Sequence, residues 1–185
     1  LCDAAADVLE ICDYAAMDIA FVGGWESVRT PHGGDHMGRE AWAGVLREIT
    51  AQKSKAENAG AMDDLDPNRL GIFRAGFEYI ASENGLAGKL YAMLAVFPNG
   101  HAIGHSDAGV LLNRSEGVVR GTMTVLERWT VLGKDASENY RMHDFHMDFA
   151  RGLLAKRGDL REQAIQRWTT HISRLEVAIG IGLYT

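Results

Sequence analysis

Apolar residues along this 185-residue chain recur almost everywhere at steps of three and four, the spacing that lines one face of an α-helix. Val8, Cys12, Ala16 and Ile19 form the first such stripe, and Gly23-Gly24 stops it. After a loop at His32-Gly33-Gly34, a second helix is expected from Asp35 to about Lys55, with Trp42, Val45, Leu46 and Ile49 on one face and Ala59-Gly60 behind it. Asp66-Pro67 is an N-cap followed by proline at the first helical position. It opens a third helix whose core stripe is Leu70, Phe73, Phe77 and Ile80. Asn84-Gly85 interrupts that helix, and a fourth runs from Leu86 to Phe97, where Pro98-Asn99-Gly100 ends it.

Gly100 to Gly109 is the least helical stretch and reads as a loop. A fifth helix is expected from Ser115 to Leu132, stopped by Gly133. Asp135 with Glu138 reads as a capping box for a sixth, reaching about Lys156 with Met142, Phe145, Phe149 and Leu153 inward. Gly158 separates it from the last helix, where Asp159 with Glu162 forms a second box. Leu160, Ala164, Trp168, His171, Leu175 and Ile179 share one face there. Six to seven helices with short connections predict an all-α fold, an antiparallel bundle spanning residues 1–185 as one domain.

A chain of this length buries roughly 70% of its unfolded surface and needs no covalent staples. The formal net charge is −6 and Lys and Arg form no run, so these residues are not expected to grip a phosphate backbone. Cys2 and Cys12 lie ten residues apart on one helical pattern, about 15 Å and beyond disulfide reach. Two thiols that cannot pair point to a reducing, cytoplasmic setting. No apolar run is long enough to span a membrane. The chain opens on Leu1 rather than Met, which leads us to expect a larger protein with a preceding segment.

Histidines are the main candidates for chemistry. His143 and His146 stand three apart on the sixth helix, and His171 lies on the apolar stripe of the last. If those helices are antiparallel neighbours, His146 and His171 approach each other inside the bundle, the way bundles assemble metal sites. We expect them to line one cavity walled by Phe149 and Trp168. A buried imidazole there needs a hydrogen-bond partner, a ligand or a metal. The plainer alternative is two core histidines held by packing and hydrogen bonds, with His143 facing solvent. His101, His105 and Asp107 are also metal-competent, but Gly100 and Gly104 make a surface loop the better reading. Nucleophile elbows, phosphate loops and Cys-x-x-Cys are missing from the sequence, so no catalytic residues are assigned and an enzyme is not expected.

Two stretches resemble a known family. Phe73 to Leu94, with Ala81-Ser82-Glu83-Asn84 followed by Leu86, Leu90 and Leu94, is similar to the central helix pair of the FadR-type C-terminal domain (FCD) of GntR-family transcription regulators. His146 to His171, with Gly158-Asp159, Ala164 and His171-Ile172, resembles that family's closing pattern. Together the stretches cover about a third of the chain. The resemblance implies an antiparallel helical bundle that dimerises and binds a small metabolite, a carboxylate or acyl compound. DNA would be contacted only through a winged helix outside these residues.

Metal-binding relatives carry Asp and His four residues apart before the Asn turn, and Gly71 and Ala75 stand at those places here. The family's usual first-helix Arg has no match near Cys12. The resemblance therefore implies His146 and His171 as remaining ligands for a divalent metal, with an organic ligand or water beside His171 the stronger expectation. Two alternatives stand beside this reading. Trp168-Thr-Thr-His171-Ile172 with Glu176 is similar to a stretch of the hemerythrin-type metal-binding bundle, though no His-x3-Glu pair accompanies it. A helical interaction module without a small ligand is the other.

Overall fold

In a computed structural model of the chain, residues 6–8, 21–22, 39–59, 67–135 and 139–182 are described, and the account below is confined to them. The stripe residues Cys12, Ala16 and Ile19, the stop at Gly23-Gly24, the loop at His32-Gly33-Gly34, the cap Asp66 and the thiol of Cys2 lie outside them. The fold is all-α, as the periodicity predicts, with one small two-stranded sheet. The helices are α1 (Arg39–Ala59), α2 (Pro67–Glu83), α3 (Gly85–Met93), α4 (His105–Leu112), α5 (Glu116–Arg128), α6 (Asp144–Ala155) and α7 (Gly158–Gly182). A 3-10 turn (Leu94–Val96) extends α3, and β1 (Leu132–Lys134) pairs antiparallel with β2 (Tyr140–Met142). Among the described residues no helix is long and apolar enough to cross a membrane.

The chain divides into two compact units, one reaching to Glu83 and including Arg128–Thr130, the other holding Asn84–Glu127 and Val131–Thr185. In the first, α1 packs on α2. Val45 and Ile49 from α1 and Leu70, Ile72, Phe73, Ala75, Phe77 and Ile80 from α2 are buried. Gly71 sits where the helices come closest: a Cβ there would lie 2.9 Å from the Ile49 carbonyl oxygen and 3.1 Å from Lys53 Cβ. Trp129 closes the same core, its indole N–H donating to the Glu83 carboxylate at 2.9 Å and its ring stacked on Tyr79 at 6.3 Å.

The second unit begins on a cap. Asn84 is extended (φ −147°, ψ 102°) and its side-chain oxygen accepts from the Leu86 and Ala87 amides at 3.0 and 3.1 Å, so the interruption expected at Asn84-Gly85 is the N-cap of α3. Around α3 pack α4, α6 and α7. Three boundaries differ from those expected. His105–Leu112 is helical rather than loop, because Asp107 turns back to accept the Gly104 amide at 2.8 Å and so secures the first turn. Asp135 does not cap a helix. Its carboxylate accepts from the Asn139 amide at 3.1 Å and pairs with Arg141, closing the hairpin between β1 and β2, and α6 starts only after His143. The fifth helix ends at Arg128 rather than Leu132, and the left-handed residue after it is Thr130 (φ 55°), not Gly133.

Candidate functional site

All the expected site residues fall in the second unit, and their ring contacts gather them into two clusters. The first is built on α3 and α6. His146 follows the capping His143 by one turn, and with Phe149 and Ala150 it forms the buried face of α6. Facing it, Tyr91 on α3 is also fully buried. Tyr91 OH and His146 Nδ1 are 2.6 Å apart, and the Tyr91 ring lies 5.8 Å from the imidazole and 6.0 Å from Phe149.

Burial sets the protonation of this pair. Desolvation raises the Tyr91 phenol well above its ordinary value, so it keeps its proton. Desolvation, helped by the neighbouring His143, lowers His146 to about 3. Near neutral pH the pair is an uncharged hydrogen bond inside the helical core, between a phenol and a neutral imidazole. Exposed His143 caps α6, its Nδ1 accepting from the Phe145 amide at 3.4 Å.

The second cluster is built on α7 and the segment after the 3-10 turn. The Trp168 ring meets Phe97 edge-on at 4.7 Å and His171 at 5.6 Å. His101 stacks flat on Phe97 at 4.5 Å and lies 6.1 Å from Trp168. Its Nε2 is 3.9 Å from the Asp107 carboxylate. Trp168 and His171 are half-buried, because the stripe of α7 is sealed at Leu160 and Ala164 and opens along its length to exposed Leu175. His171 borders a hollow of about 330 Å³ between α4 and α7, whose polar walls include Asn113, Gln166, Arg167 and Arg174. The ring contacts thus join His146 to Phe149 through Tyr91, and Trp168 to His171 beside Phe97 and His101.

The described residues do not fit a tightly held metal. Among the described residues no group of three or more His, Cys, Asp or Glu is placed to hold one. At Gly71, where metal-binding members of the family that the sequence resembles carry Asp, even a Cβ would press on the Ile49 carbonyl oxygen. Ala75, where they carry His, is fully buried. Two imidazoles alone would hold a metal loosely.

Sequence reasoning missed Tyr91, Phe97 and the arginines of α7. Tyr91 stands on the Leu-rich stretch and reads as packing until its hydroxyl is seen against His146. The signal for the arginines was present: Arg167, His171 and Arg174 recur at steps of four and three, a polar stripe on one helix face. No protein-family model and no curated protein matches the chain.

Proposed function

We propose that the chain is the effector-binding and dimerisation domain of a GntR-type transcription regulator of the FadR class. It acts in the cytoplasm, senses a small carboxylate or acyl metabolite and performs no catalysis. One observation supports the reading: the latter half of the first resembling stretch, Asn84 to Leu94, shares a helical unit with the second stretch, more than fifty residues on, and there Tyr91 hydrogen-bonds His146 at 2.6 Å. Asn84 capping α3 and Gly158 opening α7 agree with the helix order that the resemblance implies. Effector binding would bias the arrangement of a dimer through a difference in affinity between two states, and DNA would be contacted through a segment outside these residues.

The test joins association to ligand response. Light scattering at micromolar concentration is expected to give about twice the chain mass of 20.2 kDa. A panel of small carboxylates is expected to contain compounds that raise the melting temperature, since a ligand that binds only the folded state stabilises it. A strict monomer that no member of the panel stabilises would overturn the proposal.

A further inference from the structure

The hollow beside His171 adjoins two others along α4 and α7, and the three are taken together below as one trough. It shares Val110 and Asn113 with a hollow of about 780 Å³ bordered by His105, Ser106, Arg114 and Ser115. At its other side it shares Thr170 and Arg174 with a third, of about 470 Å³. Three guanidiniums line these adjoining hollows: Arg114 the one beside His105, Arg167 and Arg174 the one beside His171, and Arg174 also the third. The acid on its rim, Glu116, is engaged by Arg120 at 2.8 Å. This concentration of positive charge stands on a chain whose formal net charge is −6.

The trough is partly preorganised. Arg167 donates to the Leu111 carbonyl, which fixes its guanidinium and leaves its other N–H groups for a ligand. Asn113 closes α4 in the left-handed conformation (φ 52°) at the junction of two hollows. The Nε2 of His105 is shielded from solvent and has no hydrogen-bond partner among the described residues, although its residue borders the hollow of about 780 Å³. A buried polar atom of that kind is satisfied when a polar ligand or water reaches it.

We infer that this trough binds an elongated small molecule carrying an oxyanion at each end. One end is held by Arg114 beside His105, the other by Arg174 and Arg167 beside His171, and the spacer lies across Val110. Guanidinium forks recognise carboxylate and phosphate by the same paired N–H donation, so either group satisfies the site. The inference rests on the effector-binding reading and gives it a location on α4 and α7, apart from the sealed Tyr91–His146 pair.

Calorimetry on the whole chain at low ionic strength tests it, with straight-chain dicarboxylates from succinate to suberate, hexanoate as the single-ended control, inorganic phosphate and hexanediol bisphosphate. A two-ended ligand of preferred length is expected to bind at least about tenfold more tightly than hexanoate or inorganic phosphate, the worth of one further charge-assisted contact. Preference for the dicarboxylate or the bisphosphate identifies the end group. Arg114→Ala and Arg174→Ala, both at exposed positions, are each expected to weaken binding about tenfold without lowering the melting temperature of the free protein. Failure of every two-ended compound to bind, or binding unchanged in the double variant, overturns the inference. A monocarboxylate that stabilises wild type and double variant equally overturns the trough while keeping the effector-binding reading. A monomer indifferent to all of these compounds overturns both.

Discussion

The two aromatic–histidine clusters of the second unit stand in opposite relations to water. At Tyr91, His146 and Phe149 the exposure of every member is 0%. At Trp168 and His171 the same residue types are half-buried on the edge of a hollow. Sealing an imidazole costs its charge: His146 stays neutral and spends its Nδ1 on a tyrosine hydroxyl. Leaving His171 at a rim keeps an imidazole within reach of a dissolved molecule. One type of side chain thus serves as a structural fastener in one place and as a candidate contact in another, and the difference is made by what faces each helix.

The largest effect expected from this contrast is on packing. Phe149→Ala should cost about 3–5 kcal/mol of unfolding free energy, the usual loss for a buried aromatic ring. Trp168→Ala, at a half-buried position, should cost about 1–2 kcal/mol. Equal losses in urea unfolding would erase the distinction between a sealed and an open cluster.

Acid should act on the sealed cluster next. His146 in the folded chain titrates at about 3, below its ordinary value of 6.5, so between those limits the unfolded chain binds more protons. Its contribution is complete above pH 6.5 and is lost progressively as pH falls toward 3. His146→Gln, which keeps an acceptor for Tyr91, should flatten that part of the stability–pH curve. An unchanged slope would show that the imidazole is not held neutral by burial.

Tyr91→Phe should cost about 1–3 kcal/mol, because His146 Nδ1 loses its hydrogen-bond partner in a place that water does not reach. A neutral result would mean that the hydroxyl contributes shape and no hydrogen bond. The smallest change in stability is expected at the rim. His171→Ala should shift unfolding by about 0.5 kcal/mol or less, yet weaken anion binding in the hollow it borders. Full retention of anion affinity would remove His171 from the site.

Most helices were legible because their stripes and caps lie close together in sequence. Asn84 carries its whole message locally, since its side chain bonds amides two and three residues on. The hairpin was not legible: the alternation at Tyr140-Arg141-Met142 is one buried–exposed–buried step, too short to outweigh a capping pattern at Asp135 and Glu138. The first turn of α4 was hidden because Gly100 and Gly104 mark a loop, whereas Gly104 is the extended N-cap just outside the helix and Asp107 accepts its amide. The residues of the expected cavity were found by type and face, but the face alone did not say which ring each would meet. Tyr91 comes from α3, 55 residues from His146, and Phe97 comes from the turn beyond α3. Such meetings are set by the packing of whole helices.

The glycine at the crossing of α1 and α2 has a consequence for anyone who would re-engineer this chain. Installing aspartate at 71 and histidine at 75 looks on paper like a two-letter edit that creates a chelating helix. The Cβ at 71 alone would press on a main-chain oxygen, which, unlike a side chain, has no rotamer to escape into. The edit therefore has to begin on α1, by redrawing the path of its backbone near Ile49. The helix pair acts as a lock: where one helix meets the main chain of another around an absent side chain, adding one is no longer a matter of side chains at all.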